Sequence, residues 1–264
     1  MMRLASSPSS SWEAARRRGD AVRVVSINCA AGDKRAAAEV IPYHPDIVLL
    51  QETLERQETV ELARRLFGKD AGIARGVGAR SPDRANTPRL RRSRAHIARG
   101  RVRAVPLKGL VPFAFIQAHV RLTSGMSAEV FSVHFQPPVV RFDIWSPACW
   151  RDHAEKREVH REQARELAQE IASIPVTRPV IVGGDFNVPG GDGAVRAFAP
   201  RLRDTFKQGG RGWGDTVLND MSVLRFDQIW ASEQFRAANV VARMTKHSDH
   251  RMVIADLVLQ QARD

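Results

Sequence analysis

Eight polar side chains lie at or just beyond the ends of apolar, strand-length segments of this chain. They are carboxylates, amides and imidazoles: Asn28, Glu52, His134, Asp185, Asn187, Asp227, Asp249 and His250. Each has an ordinary alternative, such as a turn residue, a first-turn acid of a helix or a satisfied core histidine. Strand ends on one rim of a layered sheet converge, however, and ligand sites form there. We therefore treat the eight residues as one candidate site.

The chemistry of such a cluster points to a cation. Two carboxylates about 4 Å apart repel each other by several kcal/mol at an effective dielectric constant near 20. A hard divalent ion removes that cost, and oxygen ligands without thiolates favour Mg²⁺, Mn²⁺ or Ca²⁺ over Zn²⁺. The histidines would then be free for phosphate contact or proton transfer.

The segments that position these residues alternate between strand and helix patterns. Apolar runs rich in β-branched residues predict strands, and periodic segments bounded by proline or glycine predict helices. The predicted strands are 22–28, 46–52, a hairpin of 111–122 with 127–138, the run at 180–182, 222–232, 239–245 and 248–259, and the predicted helices are 34–44, 55–68 and 152–174. Because hairpins occur among interleaved strands and helices, we expect a mixed α+β sheet protein.

Length and composition are those of an ordinary globular protein. The chain has 264 residues, 43% hydrophobic and 27% charged, and two cysteines, Cys29 and Cys149. So few cysteines favour reduced thiols in the cytoplasm. No apolar run reaches the roughly 18–20 residues of a membrane span, and the N-terminus lacks the apolar core of a secretory signal. We expect a monomer with a flexible leader at 1–21 and one domain over 22–260.

Positive charge is concentrated in one stretch. The net charge is +12, and residues 80–103 hold nine arginines and a single acid, Asp83, which leaves +4 for the rest of the chain. Such a stretch permits a polyanionic partner, although a solvated loop is the ordinary alternative. Neither a helical nor a strand period holds over 69–104, so we expect irregular chain there.

Six short motifs resemble those of the endonuclease/exonuclease/phosphatase superfamily. This superfamily includes DNase I-like nucleases, abasic-site endonucleases, neutral sphingomyelinases and inositol-polyphosphate phosphatases. The motifs fall in the family's order: SIN at 26–28, LLQE at 49–52, FSVHF at 131–135, GGDFN at 183–187, LRFDQIW at 224–230 and SDHRMVIADL at 248–257. GGDFN followed about sixty residues later by SDH is the most specific pair, and the resemblance covers roughly residues 22–260.

The resemblance implies a four-layered α/β sandwich, in which two packed mixed sheets are flanked by helices. It also implies a hydrolase of phosphoric esters that depends on Mg²⁺ or Mn²⁺. By position in the motifs, Glu52 would be the principal metal ligand, Asn28 would support the metal or the phosphate, and Asp249 would sit beside the metal.

The same resemblance assigns the catalytic groups. Asp185 would orient or deprotonate the attacking water, and Asn187 would hydrogen-bond the phosphoryl oxygens. His250 would contact the scissile phosphate and be positioned by Asp227. His134 stands where DNase I-like and sphingomyelinase-like members carry a histidine that serves the phosphate or the leaving group.

Three positions depart from the family pattern. Where members carry a strand resembling AILSRYPI, this chain has the arginine-rich residues 80–103. That stretch has three explanations: a nucleic-acid-binding insertion, a solvated loop, or a frameshifted strand whose loss would damage the sheet. The only tyrosine is Tyr43, so the catalytic tyrosine of abasic-site endonucleases has no counterpart. Ala30 replaces a second acidic residue found in some endonucleases.

Among substrates, the basic balance favours a phosphodiester in nucleic acid. A sphingomyelinase-like phospholipid phosphodiesterase or a phosphatase is the alternative enzyme, since His134 permits it equally. An inactive binding protein that keeps the scaffold is the alternative from another class. Trp145, Trp150 and Trp213 could line a base-stacking or membrane-facing surface, or could simply be packing residues.

Overall fold

The structure is a computed structural model that describes residues 10–77, 93–99, 102–105, 115–139, 143–199 and 201–260. The helices are α1 (Ser10–Arg18), α2 (Lys34–Ala38), α3 (Arg56–Phe67), α4 (Pro147–Ser173) and α5 (Thr205–Gly209), with short 3₁₀ turns at Ile41–Tyr43, Gly68–Asp70 and Ala194–Phe198. The strands are β1 (Ala21–Asn28), β2 (Ile47–Gln51), β3 (Ala71–Val77), β4 (Ser93–Arg99), β5 (Val102–Val105), β6 (Phe115–Arg121), β7 (Ser127–His134), β8 (Val180–Asp185), β9 (Leu202–Asp204), β10 (Asp227–Ser232), β11 (Phe235–Arg243) and β12 (Met252–Leu259).

These strands form two six-stranded mixed sheets. Sheet A has the order β11-β12-β1-β2-β4-β3, and sheet B has the order β5-β6-β7-β8-β10-β9. Each sheet has one parallel pair near its middle, β1 with β2 and β7 with β8, and its other pairs are antiparallel. The carboxyl ends of a parallel pair meet at one edge of its sheet. Each sheet therefore brings two strand ends together.

The two sheets pack face to face, and helices cover their outer faces. Side chains at alternate positions fill the space between the sheets, including Val24 and Leu49 from sheet A and Val130 and Ile181 from sheet B. The intervening positions face outward, where those of sheet A pack against α2 and α3, and those of sheet B against α4. The sequence prediction of a four-layered sandwich of two mixed sheets flanked by helices is confirmed.

The expectation of irregular chain over 69–104 is wrong for three segments. Within 69–104, strands β3, β4 and β5 form, and β4 lies between β2 and β3 in sheet A. Its register with β2 pairs Leu50 with Ala95 and Val48 with Ile97, so tertiary pairing supplies the order that local sequence does not. Residues 80–103 therefore contain a strand of sheet A, while 78–92 and 100–101 lie outside the described residues.

The predicted flexible leader is helical over α1. Trp12 and Ala15 are buried against Ala21 at the start of β1, and the guanidinium groups of Arg16 and Arg23 lie over the Trp12 ring. Burial of this ring anchors a segment whose serine-rich and basic composition predicted no structure. Residues 1–9 lie outside the described part of the chain.

Most of the remaining predicted elements agree with the structure. The predicted helix over 34–44 is an exception: α2 ends at Ala38 and a 3₁₀ turn follows at Ile41–Tyr43, since Pro42 cannot donate to the Ala38 carbonyl. Helix α3, the β6–β7 hairpin and strand β12 all lie within their predicted ranges. Helix α4 begins earlier than expected, with Pro147 in its first turn, where the missing amide hydrogen costs nothing. Among the described helices, none combines the length and apolarity needed to cross a bilayer.

Candidate active site

Three site residues form one row across sheet B. His134, the last residue of β7, pairs with Asp185 at the end of β8, and Asp185 pairs with Asp227 at the start of β10. All three are buried, and alternation along the strands turns them toward the space between the sheets. His134 Nε2 lies 3.8 Å from Asp185 Oδ2. The pairing of three adjacent strands thus fixes an imidazole and two carboxylates side by side.

Sheet A contributes an amide and a carboxylate opposite this row. Asn28 ends β1, and Glu52 directly follows β2, its parallel neighbour. Asn28 Nδ2 donates to Asp185 Oδ2 at 3.3 Å and to Glu52 Oε1 at 3.4 Å, so one amide joins the two sheets. Glu52 Oε1 is also 3.8 Å from His134 Nε2.

The turn before β12 brings His250 into the same cluster. Its Nδ1 is 2.7 Å from Asp227 Oδ2. Ser248 holds the turn against sheet A, because its hydroxyl donates to the Asn28 carbonyl at 2.8 Å and accepts from the His250 amide at 3.0 Å. Thr245 Oγ1 donates to the His250 carbonyl at 2.7 Å. The imidazole is therefore fixed by its backbone as well as by its carboxylate partner.

Burial and neighbouring charges set the protonation of the site. Burial, reinforced by the negative charge of Asp227, raises the pKa of the Asp185 carboxyl to about 7. Burial alone would lower the pKa of His250, but the hydrogen-bonded Asp227 outweighs it and raises that pKa to about 10. At neutral pH the site thus contains an imidazolium next to a carboxyl group that is poised to exchange a proton.

Asn187 lies on strained backbone just past the row. Its φ of 52° falls in the left-handed region, and its amide N–H donates to Asp185 Oδ1 at 3.0 Å. Its side-chain Nδ2 donates to the Phe135 carbonyl at 3.0 Å, and the second hydrogen of that amide nitrogen can donate to a further acceptor. Gly184 adopts a φ of 146°, and a Cβ there would overlap the Val133 carbonyl.

Left-handed backbone recurs around the site on both sheets. Of six described non-glycine residues with positive φ, Ala30, Ala31, Glu52 and Asn187 lie within a few residues of the cluster. The Ala31 amide donates to Glu52 Oε2 at 2.7 Å, so the strained turn after β1 holds the glutamate. Such strain persists where the surrounding structure imposes it, and it is concentrated at functional sites.

The donor set fits a divalent metal ion. Asp185, Asp227 and His250 each offer a ligand atom within 4.8 Å of the others. Asp227 Oδ1 is buried and has no hydrogen-bond partner among the described residues. A protonated imidazole is a poor ligand, so the fit rests on the carboxylate oxygen atoms of Asp185, Asp227 and Glu52, which suit a hard cation.

Asp249 differs from the other seven candidates. Its side chain is exposed, and its backbone carbonyl accepts a hydrogen bond from the Asn219 amide at 2.9 Å. Its negative charge contributes to the raised pKa of His250. The other seven are joined by the short contacts described above, whereas Asp249 lies at the margin of the cluster.

Sequence reasoning missed a polar layer directly beneath the site. Gln51 Nε2 donates to Ser132 Oγ at 3.1 Å across the two sheets, and Ser26 Oγ lies 3.3 Å from Gln51 Oε1. Ser26 and Ser132 each precede a site residue, Asn28 or His134, by two positions. A period-two reading of the strands would have placed both on the site-facing side.

A two-sheet sandwich with this site at its edge has the architecture of DNase I-like proteins. The chain belongs to the endonuclease/exonuclease/phosphatase family, whose model matches residues 25–250. Members are typically phosphoesterases, and they generally use a divalent metal ion. No curated protein sequence matches the chain.

Solved structures share this fold at low sequence identity. An endonuclease/exonuclease/phosphatase from Beutenbergia cavernae superposes with a TM-score of 0.70 at 18% identity, over 92% of this chain and 72% of the other. A mannosyl-6-phosphatase from Bacteroides thetaiotaomicron gives 0.66 at 16% identity, over 90% and 100%. The human Nocturnin catalytic domain with bound sulfate gives 0.65 at 19% identity, over 91% and 95%.

Proposed function

We propose that this protein is a divalent-metal-dependent phosphodiesterase that hydrolyses nucleic acid. The observation that carries the proposal is a cluster at one edge of the sandwich, in which Asn28 hydrogen-bonds Asp185 and His250 hydrogen-bonds Asp227. Ligand atoms of Asp185, Asp227 and His250 lie within 4.8 Å of one another. Hydrolysis of a phosphoric ester needs positioned donors and charge neutralisation more than covalent chemistry. This cluster contains both kinds of group.

Glu52 would be the principal metal ligand, Asn28 would support the metal or the phosphate, and Asp249 would lie beside the metal. When bound, a divalent ion polarises the phosphoryl oxygen and lowers the pKa of water. Asp185 would accept the proton of the attacking water, since its pKa of about 7 matches that task at neutral pH.

The remaining groups would bind and stabilise the phosphate. His250, held as an imidazolium by Asp227, would contact the scissile phosphate, and its charge suits the charge that develops in the reaction. His134 would serve the phosphate or the leaving group. Asn187 would hydrogen-bond a phosphoryl oxygen. Water oxygen would form the new bond to phosphorus as the ester oxygen leaves.

Charge placement supports a polyanionic substrate. Gln51 pairs with Arg94 near the start of β4, and Val77 at the end of β3 pairs with Ser93, so both strands border the site edge. The sequence between them, residues 78–92, contains five arginines and one aspartate. The arginine content of this connecting sequence favours a substrate with several phosphates.

The test compares three proteins on three substrates. Wild type, Asp185→Ala and His250→Ala are assayed with Mg²⁺, and again with EDTA, on supercoiled plasmid, on sphingomyelin and on p-nitrophenyl phosphate. We expect Mg²⁺-dependent plasmid cleavage by wild type and at least a 100-fold loss in both variants. Asp70→Ala removes an exposed aspartate before β3 and is the matched control.

Each other result selects an alternative. Equal hydrolysis by all three proteins would refute the site assignment. Release of choline phosphate without plasmid cleavage would make the protein a phospholipid phosphodiesterase, and hydrolysis of the monoester alone would make it a phosphatase. Wild type that binds a phosphodiester but cleaves none of the substrates would be the inactive binding protein.

A further inference from the structure

Two tryptophan-bearing segments connect to the strands that flank β8 in sheet B. We call residues 143–150, which lead into α4, the α4 wall, and residues 211–224, which precede β10, the β10 wall. In sheet B the strands β7 and β10 flank β8; the α4 wall follows β7 along the chain and the β10 wall precedes β10. Trp150 is 63% exposed in the first wall and Trp213 is 65% exposed in the second.

The α4 wall extends past the edge of the sheets. Gln136, two residues beyond His134, is held by α4: His160 Nε2 bonds its carbonyl at 2.6 Å, and Gln163 Oε1 accepts from its amide at 3.1 Å. Trp150 lies ten residues before His160 on the helix. Helical rise places it about 15 Å further along the axis. Since α4 runs back from the site edge, its first turns stand beyond that edge.

The β10 wall is bonded directly to the site. Val217 forms a bridge with His250, and Thr216 Oγ1 accepts from the Asp227 amide at 3.0 Å. Leu218 has a φ of 62°, which is unusual for leucine, and it is exposed. Strained backbone next to both His250 and Asp227 indicates that contacts with the site fix the conformation of this wall.

Both indole rings are fixed by their own segments. Trp150 Nε1 donates to the Ile144 carbonyl at 2.7 Å, and Trp213 Nε1 donates to the Ser222 carbonyl at 2.9 Å. Each ring therefore has its single polar group satisfied within its wall while most of the ring is exposed. An interfacial tryptophan in a membrane instead keeps its N–H at the wet headgroup level.

We infer that Trp150 and Trp213 are stacking platforms for the unpaired bases of a single-stranded nucleic acid whose phosphate enters the site. The walls are poorly suited to phosphate contact because of their charged residues. The α4 wall has one, Asp143, and the β10 wall has three, Arg211, Asp215 and Asp220. Each wall thus carries a net charge of −1. A planar, largely apolar base is the part of the strand that a rigid exposed indole binds well.

This inference relies on the proposed function only for the identity of the phosphodiester, and binding without catalysis tests it. A fluorescent dT12 strand and a 12-residue abasic strand of equal charge are titrated, in EDTA, with the full chain. We expect wild type to prefer dT12. Trp150→Leu and Trp213→Leu should each weaken dT12 binding roughly 5- to 150-fold and leave abasic binding unchanged.

Substitution with tyrosine separates stacking from simple apolar contact. Trp150→Tyr and Trp213→Tyr keep an aromatic face and should retain most of the dT12 affinity. Val176→Ala, which truncates an exposed apolar residue elsewhere, is the control and should bind like wild type. Unchanged abasic binding and thermal midpoint show that a variant is folded.

Three results would overturn the inference. They are equal wild-type affinity for the two strands, leucine variants that bind dT12 as wild type does, and wall-dependent binding of phosphatidylcholine vesicles in place of dT12. Preference for dT12 without any phosphodiester cleavage would leave the stacking sites standing while the proposed function fails. Plasmid cleavage by a protein that binds the two strands equally would support the proposed function and refute the stacking inference.

Discussion

The two halves of the site are built differently. In the sheet B half, His134, Asp185 and Asp227 are fully buried and lie in register on three adjacent strands. In the sheet A half, Glu52 sits on left-handed backbone beyond its strand, and its side chain is 17% exposed. Regular pairing positions one half and strained turns position the other.

This difference suggests a division of labour. Groups that exchange protons need fixed neighbours and a low dielectric, which the buried row provides. A metal ligand needs access from solvent so that the ion can enter, which the partly exposed Glu52 provides. Perturbing the first half should therefore disrupt folding or chemistry, and perturbing the second should alter metal binding or local stability.

The largest expected effect comes from Gly184→Ala. A Cβ at this position would overlap the Val133 carbonyl at a φ that alanine avoids, so β7 and β8 could not pair near the site. We expect a loss of more than about 4 kcal/mol in the free energy of unfolding, measured by urea denaturation. Gly191→Ala meets nothing within 4 Å and should stay within about 0.5 kcal/mol of wild type.

Asp227→Asn tests the charge coupling inside the buried row. Removing the negative charge should lower the pKa of His250 from about 10 toward 6.5, because the imidazolium loses its main stabilising partner. We expect hydrolysis at pH 8 to fall about 100- to 10,000-fold. Histidine NMR titration measures the pKa, and a value that stays near 10 would contradict the assignment. Asp70→Asn is the exposed control.

Glu52→Gln should act on metal binding rather than on the buried row. Loss of the carboxylate charge should weaken the apparent Mg²⁺ affinity on the order of 10- to 100-fold, with partial recovery of the rate at saturating Mg²⁺. The measurement is hydrolysis as a function of Mg²⁺ concentration. Glu61→Gln removes an exposed charge from α3 and should leave the curve in place. An unchanged Mg²⁺ curve for Glu52→Gln would remove it from the metal site.

Ala31→Gly should produce the smallest change. Ala31 has a φ of 60°, which glycine adopts without strain, so we expect a gain of roughly 0.5 to 1 kcal/mol in the free energy of unfolding. Ala154→Gly in the exposed middle of α4 should lose a similar amount. A loss at both positions in urea denaturation would show that the turn at Ala31 is unstrained.

How much of this fold the sequence predicts depends on where order originates. Strands such as β1 and β2 can be predicted from local sequence, since runs of β-branched and apolar residues are typical of buried strands. Strand β4, with the sequence SRAHIAR, has weak strand propensity, and it forms because Ala95 and Ile97 are buried between two partner strands. The sequence of β4 alone does not indicate that β2 and β3 pair with it.

The site shows the same limit. The types of residue at strand ends predict a cluster, but the 2.7 Å contact of His250 with Asp227 depends on a turn that Ser248 and Thr245 hold. The pairing of Gln51 with Ser132 across the two sheets also depends on how the sheets stack. Neither contact follows from spacing along the chain.

The strand register of β8 also limits how this site can change. Because side chains alternate, inserting or deleting one residue within Val180–Asp185 would turn Asp185 to the helix-covered face. A neighbouring apolar side chain would then occupy the position of Asp185 in the site. Such a change would remove the carboxylate and the packing in a single event. New substrate specificities should therefore be sought by substitution within the strands and by lengthening the two walls, which lie outside the twelve strands.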